Sequence, residues 1–366
     1  MYESPQWEQG FETPAANNAT HASRFTIPGS VLYHPAVADH SKLFIIINNV
    51  AAKARAAWPA VRERLQTAGV DFEAAETTCA GDATLRTRAA LRAGFETIVV
   101  IGGDGTLSES AEGFFELAHS NFSTSLPIAV NPAASLAILP AGTGDDFARG
   151  LMKRRVPLAD WLELLVVHCQ QHDNSTTRAV DVMVGMCDGE EKQFICLNAS
   201  TMGIGGETGA RVAAQGKFMR QFSGEVRFLA AALGALSAWR ERRVRVVVDG
   251  QELSDAPMNL VAVANGLYAG GGMMLSPQAR NDDGFLDVVT ARGLNRIEIM
   301  RELPRIHSGG HVANPKVQIF QGRHVRIETF ASSDALLIEA DGNVRGRTPV
   351  EFRILPHALK IVSPKP

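Results

Sequence analysis

Thr97-Ile98-Val99-Val100-Ile101-Gly102-Gly103-Asp104-Gly105-Thr106 is the stretch on which the fold turns. An apolar run rich in β-branched residues, Thr97 to Ile101, predicts a strand that ends abruptly in glycines. Upstream, Lys42 to Asn48 is another continuous apolar run with the composition of a strand covered on both faces. Between these two lie Ala51 to Ala68, a helical stretch stopped by Gly69, then Val70 to Ala75 as a strand and Thr84 to Ala93 as a helix closed by Gly94. Downstream, Leu107 to Ala118 reads as a helix and Ser135 to Leu139 as a further strand. Strands and helices that alternate in this way predict a doubly wound α/β domain over residues 41–175.

The end of the Thr97–Ile101 strand also carries the first chemistry. Gly102, Gly103 and Gly105 remove the Cβ atoms that would block a ligand or forbid a positive φ, so backbone N–H groups and a helix start can face a phosphate chain. A tight βα turn with no ligand would use the same residues. The run is not a dinucleotide fingerprint, because Ser108 stands where the third glycine would fall, and no Walker A sequence occurs anywhere in the chain. A second turn of this kind is Leu139-Pro140-Ala141-Gly142-Thr143-Gly144-Asp145-Asp146-Phe147-Ala148-Arg149. There Gly142 and Gly144 free the backbone beside the Thr143 hydroxyl, and Asp146 is placed to cap the next helix. Two such turns at neighbouring strand ends predict a shared ligand cleft.

Beyond about residue 175 the pattern changes to short β-rich segments between glycine and Asp/Asn turns, which predicts an antiparallel β-sandwich domain over 176–349. One helix interrupts it, Ser223 to Arg240, with Phe228, Leu229, Leu233, Leu236 and Trp239 at helical spacing. Basic residues flank it: Arg211, Lys217, Arg220, Arg242, Arg243 and Arg245. Its apolar stripe can serve as core, or rest on anionic lipid and cover an acyl-chain cleft. The segment 350–366 is expected to return to the first domain.

The chain has 366 residues, 45% of them hydrophobic and 20% charged, with a formal net charge of −3, which suits two ordinary globular domains and gives no basic footprint for nucleic acid. The four cysteines, Cys79, Cys169, Cys187 and Cys196, lack CxxC spacing and are too few for a disulfide framework, so a reducing cytoplasm is expected. Residues 1–40 are expected to form a disordered or loosely packed leader, with no signal peptide at its start. No apolar run is long enough to span a bilayer, so any membrane contact would be peripheral. His307 and His311 are separated by Ser308-Gly309-Gly310, which argues against a helical zinc pair. A homodimer is left open.

The Gly-Gly-Asp-Gly-Thr block and the Gly-Thr-x-x-Asp-Phe-Ala-Arg block are followed by two more. These are Ala264-Asn265-Gly266-Leu267-Tyr268-Ala269-Gly270-Gly271-Gly272-Met273 with Ser276-Pro277, and Asp282-Asp283-Gly284-Phe285-Leu286-Asp287-Val288. In this order the four blocks resemble the catalytic domain of the bacterial diacylglycerol kinase family of lipid kinases, which includes sphingosine and ceramide kinases. The resemblance runs from about Leu43 to the C-terminus. It implies an NAD-kinase-like first domain followed by the sandwich, with ATP as phosphate donor and a lipid alcohol as acceptor at the membrane surface.

By that resemblance, Asn48, Thr77, Gly102, Gly103, Asp104, Gly105, Thr106, Leu107, Ser108, Glu109, Gly142, Thr143 and Asp146 form the nucleotide site. A Mg²⁺ site falls at Asp283 with the carbonyls of Arg280 and Phe285; it would support the fold, while a separate Mg²⁺ accompanies ATP. Taken alone, Asp282-Asp283-Gly284 would be a plain hairpin turn. The same resemblance makes Asp341 the catalytic base, a carboxylate able to take the proton from a lipid hydroxyl as it attacks the γ-phosphorus, where Asp341-Gly342 taken alone would be a plain β-turn.

The chain departs from the family at three places: Asn343 replaces a Glu, Asp145 replaces an Asn, and Asn48-Asn49-Val50-Ala51-Ala52 replaces Asn-Pro-x-x-Gly. Two rival functions follow from these residues. NAD kinases share the glycine-aspartate block, and the loss of a carboxylate at Asn343 would suit a lipid- or nucleotide-binding protein without turnover.

Overall fold

The computed structural model describes residues 43–364, except 119–124, 171–173, 191, 217–218, 220–221 and 223. The leader, and the basic residues Lys217 and Arg220, therefore lie outside the described residues.

The first half alternates as its sequence predicts. β1 (Leu43–Ile47), α1 (Ala52–Thr67), β2 (Phe72–Glu76), α2 (Asp82–Arg92), β3 (Thr97–Gly102) and α3 (Asp104–Gly113) follow one another. A small hairpin comes next, β4 (Phe115–Glu116) with β5 (Ile128–Ala129), and then β6 (Ser135–Pro140), α4 (Asp146–Met152) and α5 (Leu158–Gln170). β2, β1, β3 and β6 are parallel neighbours in that order. Every residue of β3 is buried, as a central parallel strand requires. α1 covers the sheet through Ala54, Val61 and Leu65, which recur on one helical face.

α3 begins at Asp104, three residues before the sequence suggests, because Gly103 serves as its N-cap and the Asp-Gly-Thr run forms its first turn. It stops at Gly113, where a Cβ would lie 2.6 Å from the Thr87 side chain of α2. Phe115 and Glu116 then pair with Ile128 and Ala129 instead of extending the helix to Ala118.

The second half comprises β7 (Thr177–Cys187), β8 (Phe194–Cys196), β9 (Ala199–Gly203), α6 (Ile204–Ala213), α7 (Gly224–Ala238), β10 (Arg242–Val248) and β11 (Gln251–Met258). It continues with β12 (Leu260–Ala264), β13 (Leu286–Ala291), α8 (Arg296–Ile306), β14 (Val317–Gly322) and β15 (His324–Thr329). β16 (Leu337–Ala340), β17 (Asn343–Arg347) and β18 (Val350–Val362) complete the chain. β14, β13, β12, β9, β16 and β17 make an antiparallel sheet. Facing it are β10, β15, β18 and β7, and the side chains between the two layers, among them Met202, Val246, Val263, Val288, Ile327 and Phe352, form a separate buried core.

β18 belongs to both halves. Its first residues, Val350–Arg353, pair antiparallel with β15, and Lys360 and Ile361 pair parallel with Ser135 and Leu136 of β6. It also runs antiparallel to β7, with an irregularity between Leu355 and Leu359. One sheet of ten strands thus passes from the α/β half into the sandwich.

Candidate active site

The turns after β3 and β6 meet backbone to backbone. A Cβ on Gly142 would lie 2.6 Å from the Gly103 Cα and 2.7 Å from Asp145 Oδ1. Gly144 repeats this against the sandwich half, where its Cβ would lie 2.9 Å from the Gly271 Cα. Glycine is needed at these positions because three loops converge with no room for side chains.

Around this convergence the sequence-predicted residues take different stations. Asn48, just past β1, donates through Nδ2 to Thr106 Oγ1 at 2.7 Å, while its Oδ1 accepts the N–H groups of Val50 and Ala51. Thr77 follows β2 and ties back by its N–H to Ile47 O at 2.8 Å. The strand ends β1, β2, β3 and β6 therefore bring Asn48, Thr77, Gly102, Gly103 and Gly142 to one edge of the sheet. Leu107 and Ser108 turn inward, at 3% and 1% exposure, and the Leu107 N–H already serves Gly103 O at 3.1 Å. The amides of Asp104, Gly105 and Thr106 are those a helix start leaves without an internal partner. Glu109 is half-buried, and its carbonyl accepts the Thr84 hydroxyl.

Three cations surround the second turn: Lys53 and Arg155, which motif reading missed, and Arg149, which the motif contains but to which it gives no role. Lys53, in the first turn of α1, donates Nζ to Gly142 O at 2.9 Å. Arg155 donates to the carbonyls of Thr143 and Gly144. Arg149 lies against Gly272 and over the Tyr268 ring, 5.2 Å from its centroid. A lysine opening a helix that has no acidic residue in its first turn was the available signal for Lys53.

These cations face carboxylates. Asp145 Oδ1 accepts the Gly142 N–H at 2.8 Å, and burial raises its pKa against that bond and the charges of Arg155, Lys53 and Arg149. The expected cap by Asp146 is not made: its Oδ2 accepts the N–H of Gly271 at 2.8 Å, tying the second turn to the sandwich loop. Its Oδ1 is buried with no hydrogen-bond partner among the described residues. Asp104 accepts the Phe147 N–H at 3.1 Å, and burial, reinforced by the charge of Asp146, pushes its carboxyl up to about 7.

Asp341 sits in the turn between β16 and β17 at φ 46°, almost buried at 7% exposure. Its Oδ2 accepts the N–H of Leu197 at 2.6 Å, and its Oδ1 those of Asn198 and Ala199 at 3.0 and 3.3 Å. Glu339, two residues earlier, accepts the Thr201 hydroxyl at 2.7 Å and the Gly342 N–H. Burial pushes its carboxyl up to about 7, with the charges of Asp341 and Asp146 adding to the shift. The Asn343 amide lies 3.5 Å from the Asp341 carbonyl and brings no carboxylate.

At the predicted metal turn, Asp283 Oδ1 accepts the Phe285 N–H at 3.0 Å, and Arg280 pairs with Asp282. Asp283 makes no ion pair among the described residues. A carboxylate without an ion-pair partner among the described residues is a donor that Mg²⁺ accepts when it keeps several waters. No cluster of three or more His, Cys, Asp or Glu side chains able to hold a metal occurs among the described residues.

Asp181, another residue that motif reading missed, pins this turn from beneath. It is fully buried and accepts the N–H groups of Gly284 at 2.6 Å and His357 at 2.7 Å. The buried Asn265 amide donates to the carbonyls of Asp181 and Leu197, linking the metal turn to the segment that holds Asp341. The two histidines part company: His311 Nε2 meets Leu275 O and His307 Nδ1 meets Gly272 O.

Comparison with known proteins bears on each half of the chain. Residues 42–184 match the model of the diacylglycerol kinase catalytic domain, and residues 201–363 match that of the YegS C-terminal NAD kinase beta sandwich-like domain. The "Probable lipid kinase YegS-like" protein of Pseudomonas aeruginosa UCBPP-PA14 is 30% identical over 329 residues, covering 89% of this chain and 95% of that one. The diacylglycerol kinase of Mycobacterium tuberculosis H37Rv is 29% identical over 310 residues, covering 82% and 88%. A crystal structure from Bacillus anthracis Sterne, described as a diacylglycerol kinase, superposes with a TM-score of 0.61 at 22% identity, covering 89% and 98%, and shares the fold.

These matches define a phosphotransferase that uses ATP as phosphate donor. The chain belongs to the bacterial lipid kinase family that holds the diacylglycerol kinases and the YegS-like proteins.

Proposed function

We propose that this chain transfers the γ-phosphate of ATP to the hydroxyl of a diacylglycerol-like membrane lipid, the substrate named for its relatives, at the cytoplasmic face of a membrane. The observation that carries this is the three-loop convergence at Gly103, Gly142 and Gly271, surrounded by Lys53, Arg149 and Arg155. Backbone amides at the start of α3 and three cations suit a polyphosphate, whose transfer needs positioning and charge neutralisation more than covalent chemistry.

Asp341 is the base of this proposal. Its three backbone bonds and the neighbouring Cys196 thiol fix its orientation, and in this proposal the lipid hydroxyl gives its proton to that carboxylate. Glu339 stands beside it with a carboxyl raised to about 7, which suits proton exchange near neutral pH. Mg²⁺ bound with ATP would neutralise charge on the transferring phosphoryl group, and a second ion at Asp283, with the carbonyls of Arg280 and Phe285, would brace the turn that Asp181 supports. The free thiols of all four cysteines accord with a reducing compartment.

The test is transfer of labelled phosphate from ATP to diacylglycerol in mixed micelles. Asp341→Asn is expected to lower kcat by roughly 10²–10⁴-fold while ATP binding, followed by fluorescence, stays unchanged. Full activity in that variant would remove Asp341 from the mechanism. Phosphorylation of NAD with no lipid turnover would remove the lipid.

A further inference from the structure

We infer that the outward face of α7, continued by α8, is the surface by which this chain rests on an anionic lipid bilayer, an inference that stands on the lipid kinase proposal above. A helix at a protein surface normally turns a polar face to water. α7 does not. Its inward face is Ala231, Ala232, Ala235 and Leu236, and its outward face carries Val226, Leu229 and Leu233 at 48%, 49% and 45% exposure. These three follow one another at the three- and four-residue spacing of a single stripe. An apolar stripe left in water on a helix already anchored by its other side marks a surface that something covers.

α8 extends the patch. The Arg296 guanidinium donates to Ser237 O at 3.0 Å, which fixes the start of α8 beside the end of α7. None of the described residues of α8 is buried, and Ile297 and Met300 are 66% and 40% exposed. Arg292, Arg296 and Arg301 are exposed along this element and the turn before it. Arg240, Arg243 and Arg245, near the end of α7, are ion-paired with Asp334, Asp255 and Glu252, so the cationic fringe rests on Arg292, Arg296 and Arg301. Apolar side chains fringed by arginine match the boundary between acyl chains and anionic headgroups, where apolar burial and electrostatic attraction add. This charge complementarity selects a bilayer over a second copy of the chain, whose own patch would be equally basic.

The patch also adjoins the active site. A Cβ at Gly270 would lie 3.5 Å from the Phe228 ring of α7, and His307, just past α8, reaches Gly272 O at 3.3 Å. Both helices therefore grip the Gly270–Gly272 segment whose middle amide is held by Asp146. A chain docked by this face presents that segment to the membrane, so a lipid hydroxyl can enter the cleft while its acyl chains stay in the bilayer.

The test is flotation of the full-length protein with phosphatidylcholine vesicles that contain or lack phosphatidylglycerol, alongside phosphate transfer to a short-chain diacylglycerol in free solution. Wild type is expected on the anionic vesicles and to be released by salt. The double variant Leu229→Glu/Leu233→Glu is expected to lose about tenfold or more of that binding, with thermal melting and turnover of the soluble lipid unchanged. Should that variant fail to fold, Ile297→Glu/Met300→Glu, on a helix with no buried residue, asks the same question and is expected to give the same loss. Vesicle binding unaltered in both variants, or binding indifferent to phosphatidylglycerol, overturns the inference. A dimer that becomes a monomer in the variants while vesicle binding persists also overturns it, in favour of a second copy. Vesicle binding lost in the variants, with no lipid phosphorylated by any form, would sink the kinase proposal and leave the surface standing.

Discussion

The two halves of the site are built on different principles. The phosphate-facing half is made of contiguous residues: Gly102 to Thr106 and Gly142 to Asp146 each shape a turn from within, and the close approach of Gly103 to Gly142 follows from the pairing of β3 with β6. The carboxylate half is assembled across long sequence distances. Asp341 gathers amides at 197, 198 and 199, and Asp181 gathers those at 284 and 357. A local turn can be recognised from its letters, whereas a bond network closed over more than a hundred residues leaves no local pattern.

This contrast predicts how each half fails. Among the residues of the turns the largest effect is expected at Gly142→Ala, whose new Cβ would lie 2.6 Å from the Gly103 Cα as well as 2.7 Å from Asp145 Oδ1. The two turns must then part, and turnover should fall by about 10²-fold or more, with ATP binding weakened in the same variant. An unchanged KM for ATP would show that the turns do not cradle the nucleotide. In the other half, Asp181→Asn replaces a fully buried acceptor that serves the Gly284 and His357 N–H groups, the first of them buried, and should cost about 3 kcal/mol of stability, measured by denaturant unfolding. Because the loss is architectural, added Mg²⁺ should restore little of it.

Smaller consequences separate the halves further. Lys53→Ala is expected to raise the KM for ATP by about tenfold with hardly any change in melting temperature, since the side chain is exposed. Equal loss of stability and affinity would make Lys53 a structural strut.

The smallest effect concerns pH. Asp104 and Glu339 have ordinary values of 3.8 and 4.5 and are raised to about 7 in the folded chain. The folded state therefore holds protons that the unfolded chain releases. Their contribution to stability is complete below about pH 4 and declines as pH rises toward 7. Melting temperature followed from pH 5 to 8 should fall, and less steeply in Asp104→Asn, which removes one of the two groups.

Much of the frame was legible. The apolar runs at Leu43–Ile47, Thr97–Gly102 and Ser135–Pro140 became buried parallel strands because their composition leaves no exposed face. α8 was missed, since an amphipathic helix with Pro304 inside and nothing buried gives a weak apolar signal. Its capping box, Asn295 with Glu298, was nevertheless readable. The stripe on Ser223–Arg240 was seen, but only burial divides it into an inner row and an outer one. Lys53 escaped because it bonds a carbonyl 89 residues away, and Asp181 because nothing beside it is unusual.

The strand Val350–Val362 sets a limit on modularity. It closes the sandwich with its first residues and borders the parallel sheet with its last. Neither half can be cut out, swapped into a relative or expressed alone without leaving an open sheet edge, so heat should melt both in a single transition. In a chain organised this way, the donor and acceptor sites are inherited together.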